Sequence, residues 1–137
     1  MADYPLPAGG NIIGEVSVAP SSIAGLAYQG SIAAAATVAT ITPAANSTLQ
    51  QMAISLTGDA AQATAGEVTI TVALNGATIA VKRVFVPLTA LGTGVLYEST
   101  TDFSYAAYSA GASGTLTVTL GNALTAGTVS INALFAA

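Results

Sequence analysis

Residues 67–87 read EVTITVALNGATIAVKRVFVP, and this stretch decides the fold. Val68, Ile70, Val72 and Leu74 alternate with Thr69, Thr71 and Ala73, the period of two that places one apolar face on a β-strand. Asn75-Gly76 follows, the dipeptide that accepts positive φ at both central positions of a type I′ turn. A second strand then runs to Pro87, which ends it. A two-residue turn sets Leu74 opposite Ala77, Val72 opposite Ile79 and Ile70 opposite Val81, all six on the buried face. The next pair would be Val68 with Arg83, a poor match for a core. The apolar phase restarts one residue later on Val84 and Val86, so the sequence predicts a bulge or bend near Lys82-Arg83.

Similar alternation recurs outward from this hairpin. GTLTVTLGN (114–122) and GTVSINALF (127–135) each set apolar residues against Thr, Ser or Asn, and the linker between them predicts a C-terminal antiparallel pair. STLQQMAISLTG (47–58) offers Leu49 and then Met52, Ile54 and Leu56. Residues 31–42 are strand-like but Ala-rich, and GVLYESTTDFSY (94–105) reads as one strand with an irregular part. GDAAQATAG (58–66) is a small-residue connection with room for one helical turn. With Gly14–Val18 the count reaches about eight strands. The expectation is all-β: a single antiparallel β-sandwich, jelly-roll-like, over residues 19–137. Residues 1–18 would form an extended N-terminal arm and a first short strand.

The composition bounds the function. Of 137 residues, 6% are charged, where a typical domain carries about 25%. A folded monomer of 13.3 kDa exposes roughly 6,400 Å², so the eight charges leave about one per 800 Å². Such a surface resists association poorly and reads as one to be covered, by copies of itself or by a larger assembly. Lys82 and Arg83 are the only cations, too few to neutralise a run of phosphates, and the net charge of −4 disfavours an anionic membrane. The most apolar run, residues 32–41, is about half a membrane span. No basic and apolar leader marks the N-terminus, so no secretory signal is expected.

Chemistry finds few groups to use. The chain has no His and no Cys, which removes the commonest general base, metal ligand and thiolate nucleophile, so no catalytic, cofactor or metal residues are assigned. AGASG (110–114) has glycines at the wrong offsets for a nucleophile elbow. Glu98 and Asp102 suggest either a calcium site or two solvated carboxylates, with the second favoured. Asn46-Ser47-Thr48 matches a glycosylation sequon and is read as a turn. Lys82 and Arg83 are either a docking contact for an acidic partner or a local ion pair with Glu67, which the hairpin register sets diagonal to them. Tyr97, Tyr105 and Tyr108 gather near Phe103, as contact aromatics or as core residues with polar ends. At the N-terminus, Pro5 and Pro7 hold YPLPAGG extended. An arm built on Tyr4, Pro5, Leu6, Pro7, Asn11, Ile12 and Ile13 loses little entropy when ordered on a neighbour.

Leu6-Pro7, Gly9, Asn11, Ile13-Gly14 and Val16 form an L-P-x-G-x-N-x-I-G-x-V opening. It resembles that of small β-sandwich virion proteins of tailed bacteriophages, of the head decoration or cement type. The ATVATITPAANSTLQQMAISLTG run, the hairpin and the GTLTVTLGNALTAGTVSI finish are similar in style to the same group. The resemblance implies a non-enzymatic protein made in the host cytoplasm that coats a virion. Its partners would be the major capsid protein and itself, most simply as a homotrimer, with no nucleic acid or membrane. A tail or baseplate component that contacts the receptor, and a free carbohydrate-binding module, are the competing readings.

Overall fold

The computed structural model describes residues 25–92 and 94–137. Eight strands run in chain order: β1 (Gly25–Ile32), β2 (Val38–Ile41), β3 (Thr48–Thr57), β4 (Gly66–Leu74), β5 (Ala77–Val86), β6 (Val95–Asp102), β7 (Leu116–Leu120) and β8 (Val129–Ala136). A 3₁₀ turn, Ser104–Ala106, follows β6. One sheet has the order β1-β8-β3-β6 and the other β2-β7-β4-β5, with all pairs antiparallel. First pairs with last, second with seventh, third with sixth and fourth with fifth. This is the winding of an eight-stranded jelly roll, an all-β sandwich. The expected arm and the strand Gly14–Val18 lie outside the described residues.

The core is the layer between the sheets. Ile70, Val72, Leu74, Leu116, Val118 and Leu120 from one sheet meet Ile54, Leu56, Val129, Ile131 and Phe135 from the other, all buried. Alternation explains most of this, and two bulges explain the rest. On β3, Leu49 faces Phe135 and Gln51 faces Leu134, so Gln50 is the extra residue that lets both Leu49 and Met52 point inward. On β5, Ala73 pairs with Thr78 and Val72 with Ala80, so Ile79 is the extra residue.

The β5 bulge corrects the expected register. Leu74–Ala77 holds, but Val72–Ile79 and Ile70–Val81 do not form; Ile70 pairs with Lys82, and Val81 is 49% exposed. The phase slip is real and lies beside the turn, not at Lys82-Arg83. There the tight twist of the hairpin already favours an extra residue. The shift sets Val84 and Val86 on the core face and turns Arg83 to water. Lys82 falls on the core-facing phase, half-buried at an open sheet edge. Its aliphatic stem can cover the core margin there while the ammonium reaches water.

Three further expectations change. β7 and β8 lie in different sheets, so they form no C-terminal pair: both edges of each are taken by other strands. Residues 31–42 divide at a corner where Ala35 has φ 73°, giving the end of β1 and all of β2. The 58–66 connection has no helical turn; it bridges Ala61 to Ala126, and buried Gln62 donates to Gly66 O (2.8 Å) and Val86 O (3.0 Å).

Asn75 does more than turn the hairpin. Its φ of 53° and Gly76's of 84° match the type I′ turn. Its Nδ2 donates to Ala110 O (3.1 Å), and its Oδ1 accepts from Thr115 N (3.0 Å). AGASG is thus clamped to the hairpin. A Cβ on Gly114 would stand 1.9 Å from Ala110 O, so only glycine fits. Asn75→Gly keeps the turn and deletes both side-chain bonds. It should lower unfolding stability by about 1–3 kcal/mol in denaturant titration. Ser99 of β6 carries a buried Oγ with no hydrogen-bond partner. Ser99→Ala should raise stability by about 1 kcal/mol in the same assay.

Candidate interaction surface

The charged side chains are not spread over the sandwich. Among the described residues they are Asp59 in the β3–β4 connection, Glu67 on β4, Lys82 and Arg83 on β5, and Glu98 and Asp102 on β6. β5 and β6 are the outer strands on the same side of the two sheets, and β4 adjoins β5. β1, β8, β3, β2 and β7 carry no ionised side chain. Half of the sandwich, including the outer strands β1 and β2, is therefore neutral.

The outer faces mix short polar side chains with the exposed apolar residues Val38, Val81 and Leu134. Across the first sheet, cross-strand rows run Ser31–Ser130–Ser55–Glu98, Gln29–Asn132–Ala53–Thr100 and Ala27–Leu134–Gln51–Asp102. Across the second they run Val38–Thr119–Thr71–Val81 and Thr40–Thr117–Ala73–Thr78. Gln29, Ser31, Ser130 and Asn132 line an open hollow of about 370 Å³ over β1 and β8. Its amides and hydroxyls can bond a neutral polar group or a peptide. They offer no titratable group for acid–base work.

The singled-out residues fall in three places. The arm residues Tyr4, Pro5, Leu6, Pro7, Asn11, Ile12 and Ile13 lie outside the described residues. Arg83 Nη1 stands 3.7 Å from Glu67 Oε1, both side chains largely exposed. The two are diagonal, since Arg83 pairs with Thr69 and Glu67 with Phe85. An exposed pair of this kind adds little stability, and Lys82 is on the opposite face of β5. The tyrosines do not form one platform. Tyr97 and Tyr108 are half-buried and pack against the core, with the Tyr108 ring 6.0 Å from buried Phe103. Tyr105 is 85% exposed on the 3₁₀ turn.

Two features were missed in the sequence. One is the neutral hollow, whose residues are unremarkable until strand order sets β1 beside β8. The other is a set of exposed apolar residues close in sequence, Phe85, Leu88, Leu91 and Val95, each more than half exposed. Its signal was apolar residues continuing past Pro87 into a turn-rich segment.

Glu98 and Asp102 share the outer face of β6, about 13 Å apart by strand rise. That span is too long for one cation. Asp102 instead accepts from Ser104 N (2.8 Å) and Ser104 Oγ (2.7 Å). Both bonds favour the carboxylate, the hydroxyl's most, and hold its pKa below the ordinary aspartate value. A depressed carboxyl pKa adds stability above the unfolded-state pKa, and this contribution fades as pH falls through the folded value. In an NMR titration, Ser104→Ala should move the Asp102 midpoint upward, toward the ordinary range. Compared with known proteins, the chain matches no family model, no curated protein and no solved structure.

Proposed function

We propose that the protein is a non-enzymatic virion structural protein, a decoration or cement protein on the head of a tailed bacteriophage. It would bind the outer surface of the capsid lattice and bridge neighbouring major capsid subunits. The observation that carries this reading is the neutral half of the sandwich: β1, β2, β3, β7 and β8 together hold no ionised side chain. A neutral face packs against a partner without desolvating ions, a cost that charged faces recover only with good pairing. The resemblance of the opening and of the Thr-rich strands to small phage virion proteins agrees with it. So does the lack of His and Cys, which leaves little for a catalytic site to use.

The mechanism is mechanical. A ligand that binds only the assembled shell stabilises that shell by linkage, and many copies multiply the effect. Short Ser, Thr, Ala and Asn side chains suit such contacts, because ordering them costs little rotamer entropy.

Copy number tests the proposal. Particles purified from a producing lysate should contain hundreds of copies of this chain, in simple ratio to the major capsid protein by quantitative mass spectrometry. A few dozen copies or fewer would move the protein to the tail, and absence from particles would sink the reading.

A further inference from the structure

A two-sheet sandwich has four outer strands, and exposed edges invite pairing with another chain unless something blocks it. Three of the four carry a recognised block. β5 has the Ile79 bulge, inward-phased Lys82 and Arg83. β6 has Glu98 and Asp102 and a break in its pairing with β3, where Tyr97 faces Leu56 and Val95 faces Thr57, leaving Leu96 extra. β2 is only four residues long, and Pro43 stands two positions past its end. β1 has none of these. Its eight residues, GLAYQGSI, include no charge and no proline. Its register with β8 is unbroken from Gly25–Ala136 to Ile32–Val129. Among the described residues, nothing pairs with its other edge.

We infer that the outer edge of β1 is a self-association site, where β1 of a second copy pairs antiparallel about a two-fold axis to join two four-stranded sheets into one. Charge selects this occupant. In a two-fold contact each patch meets its own copy, so an edge can pair with itself only if it brings no like charges together. β1 and its neighbour β8 are both uncharged, whereas self-pairing of β6 would gather the carboxylates of Glu98 and Asp102 from both copies. The side chains along the edge also suit a second copy. Leu26 and Tyr28 are only partly buried, and their remaining apolar surface would be covered. Gln29 and Asn132, side by side on the outer face, would have amide partners across the axis. A strand edge is a small contact, in the class below roughly 1,200 Å² that gives weak pairs in free solution. Held at the high local concentration of a lattice, it becomes effective. The inference does not depend on the capsid reading, since it concerns the protein alone.

The test is sedimentation equilibrium of the full chain over a wide concentration range, with two lysine variants. Gln29 is exposed on β1, and Gln51 is exposed on the interior strand β3 of the same face. The wild type should double in mass as concentration rises. Gln29→Lys should need at least tenfold more protein to associate, with an unchanged melting midpoint at low concentration showing that it folds. Gln51→Lys should behave as wild type. A wild type that never doubles would overturn the inference. So would a Gln29→Lys variant that associates normally. Equal disruption by Gln51→Lys would place the contact on the sheet face instead. Amide exchange gives an independent readout: slowing on β1 with rising concentration supports edge pairing, and slowing confined to residues 85–95 refutes it.

Discussion

Two sheets must share one apolar layer, and each strand can contribute only every second residue to it. That constraint governs the structure. Where the alternation is regular, as on β4, β7 and β8, every second residue enters the core and the outer positions are Thr, Ser, Asn or Ala apart from Glu67 and Leu134. Where it slips, an extra residue is inserted. Gln50 and Ile79 are inserted residues that keep Leu49 with Met52, and Leu74 with Val84, on the same inner layer, and Leu96 is a third on β6. The loops are fitted to this layer in turn. Gln62 satisfies two carbonyls beneath the β3–β4 connection, and Asn75 ties the β6–β7 loop to the hairpin.

The parts that could be read from the chain are those fixed by neighbours in sequence. Asn75-Gly76 and its flanking alternation specify the hairpin locally. The diagonal relation of Glu67 and Arg83 depends on the bulge, since without it Arg83 would stand opposite Val68 on the core face. The slip in β5 could be detected, because Val72 and Val84 cannot share a face without an extra residue. Its place could not, because any residue between Leu74 and Val84 would restore the phase. β1 was hidden by its own composition: its inner positions are Leu26, Tyr28, Gly30 and Ile32, and a glycine there looks like a break. The structure uses that gap. A Cβ on Gly30 would lie 3.4 Å from the side chain of Ile41, so the glycine lets the opposite sheet close in. The separation of β7 from β8 was beyond local reading, since a linker of that length serves a hairpin or a sheet crossing equally well.

The candidate surface follows the same division. That residues 16–58 and 103–137 lack charge is plain from the sequence. That these segments come together on one side is a product of the winding, which places β8 between β1 and β3 and β7 between β2 and β4. Among the described residues, charge on the strands is thus confined to β4, β5 and β6, where it also guards two of the outer strands against unwanted pairing. Among the described residues, one distribution of six charged side chains serves solubility at one side and leaves the strands of the other side neutral.

The nested winding also bears on how the protein is made. β8 fills the position between β1 and β3, and β7 the position between β2 and β4. Until the last strands leave the ribosome, the earlier ones have neither their central neighbours nor a closed core. The β4–β5 hairpin is the single pair of adjacent strands whose partners are consecutive in the chain. Everything else awaits long loop closures, which makes folding slow by topology. During that wait β1 is uncharged and without its β8 partner. The strand least guarded in the finished sandwich is also the first described one to be synthesised and among the last to be covered.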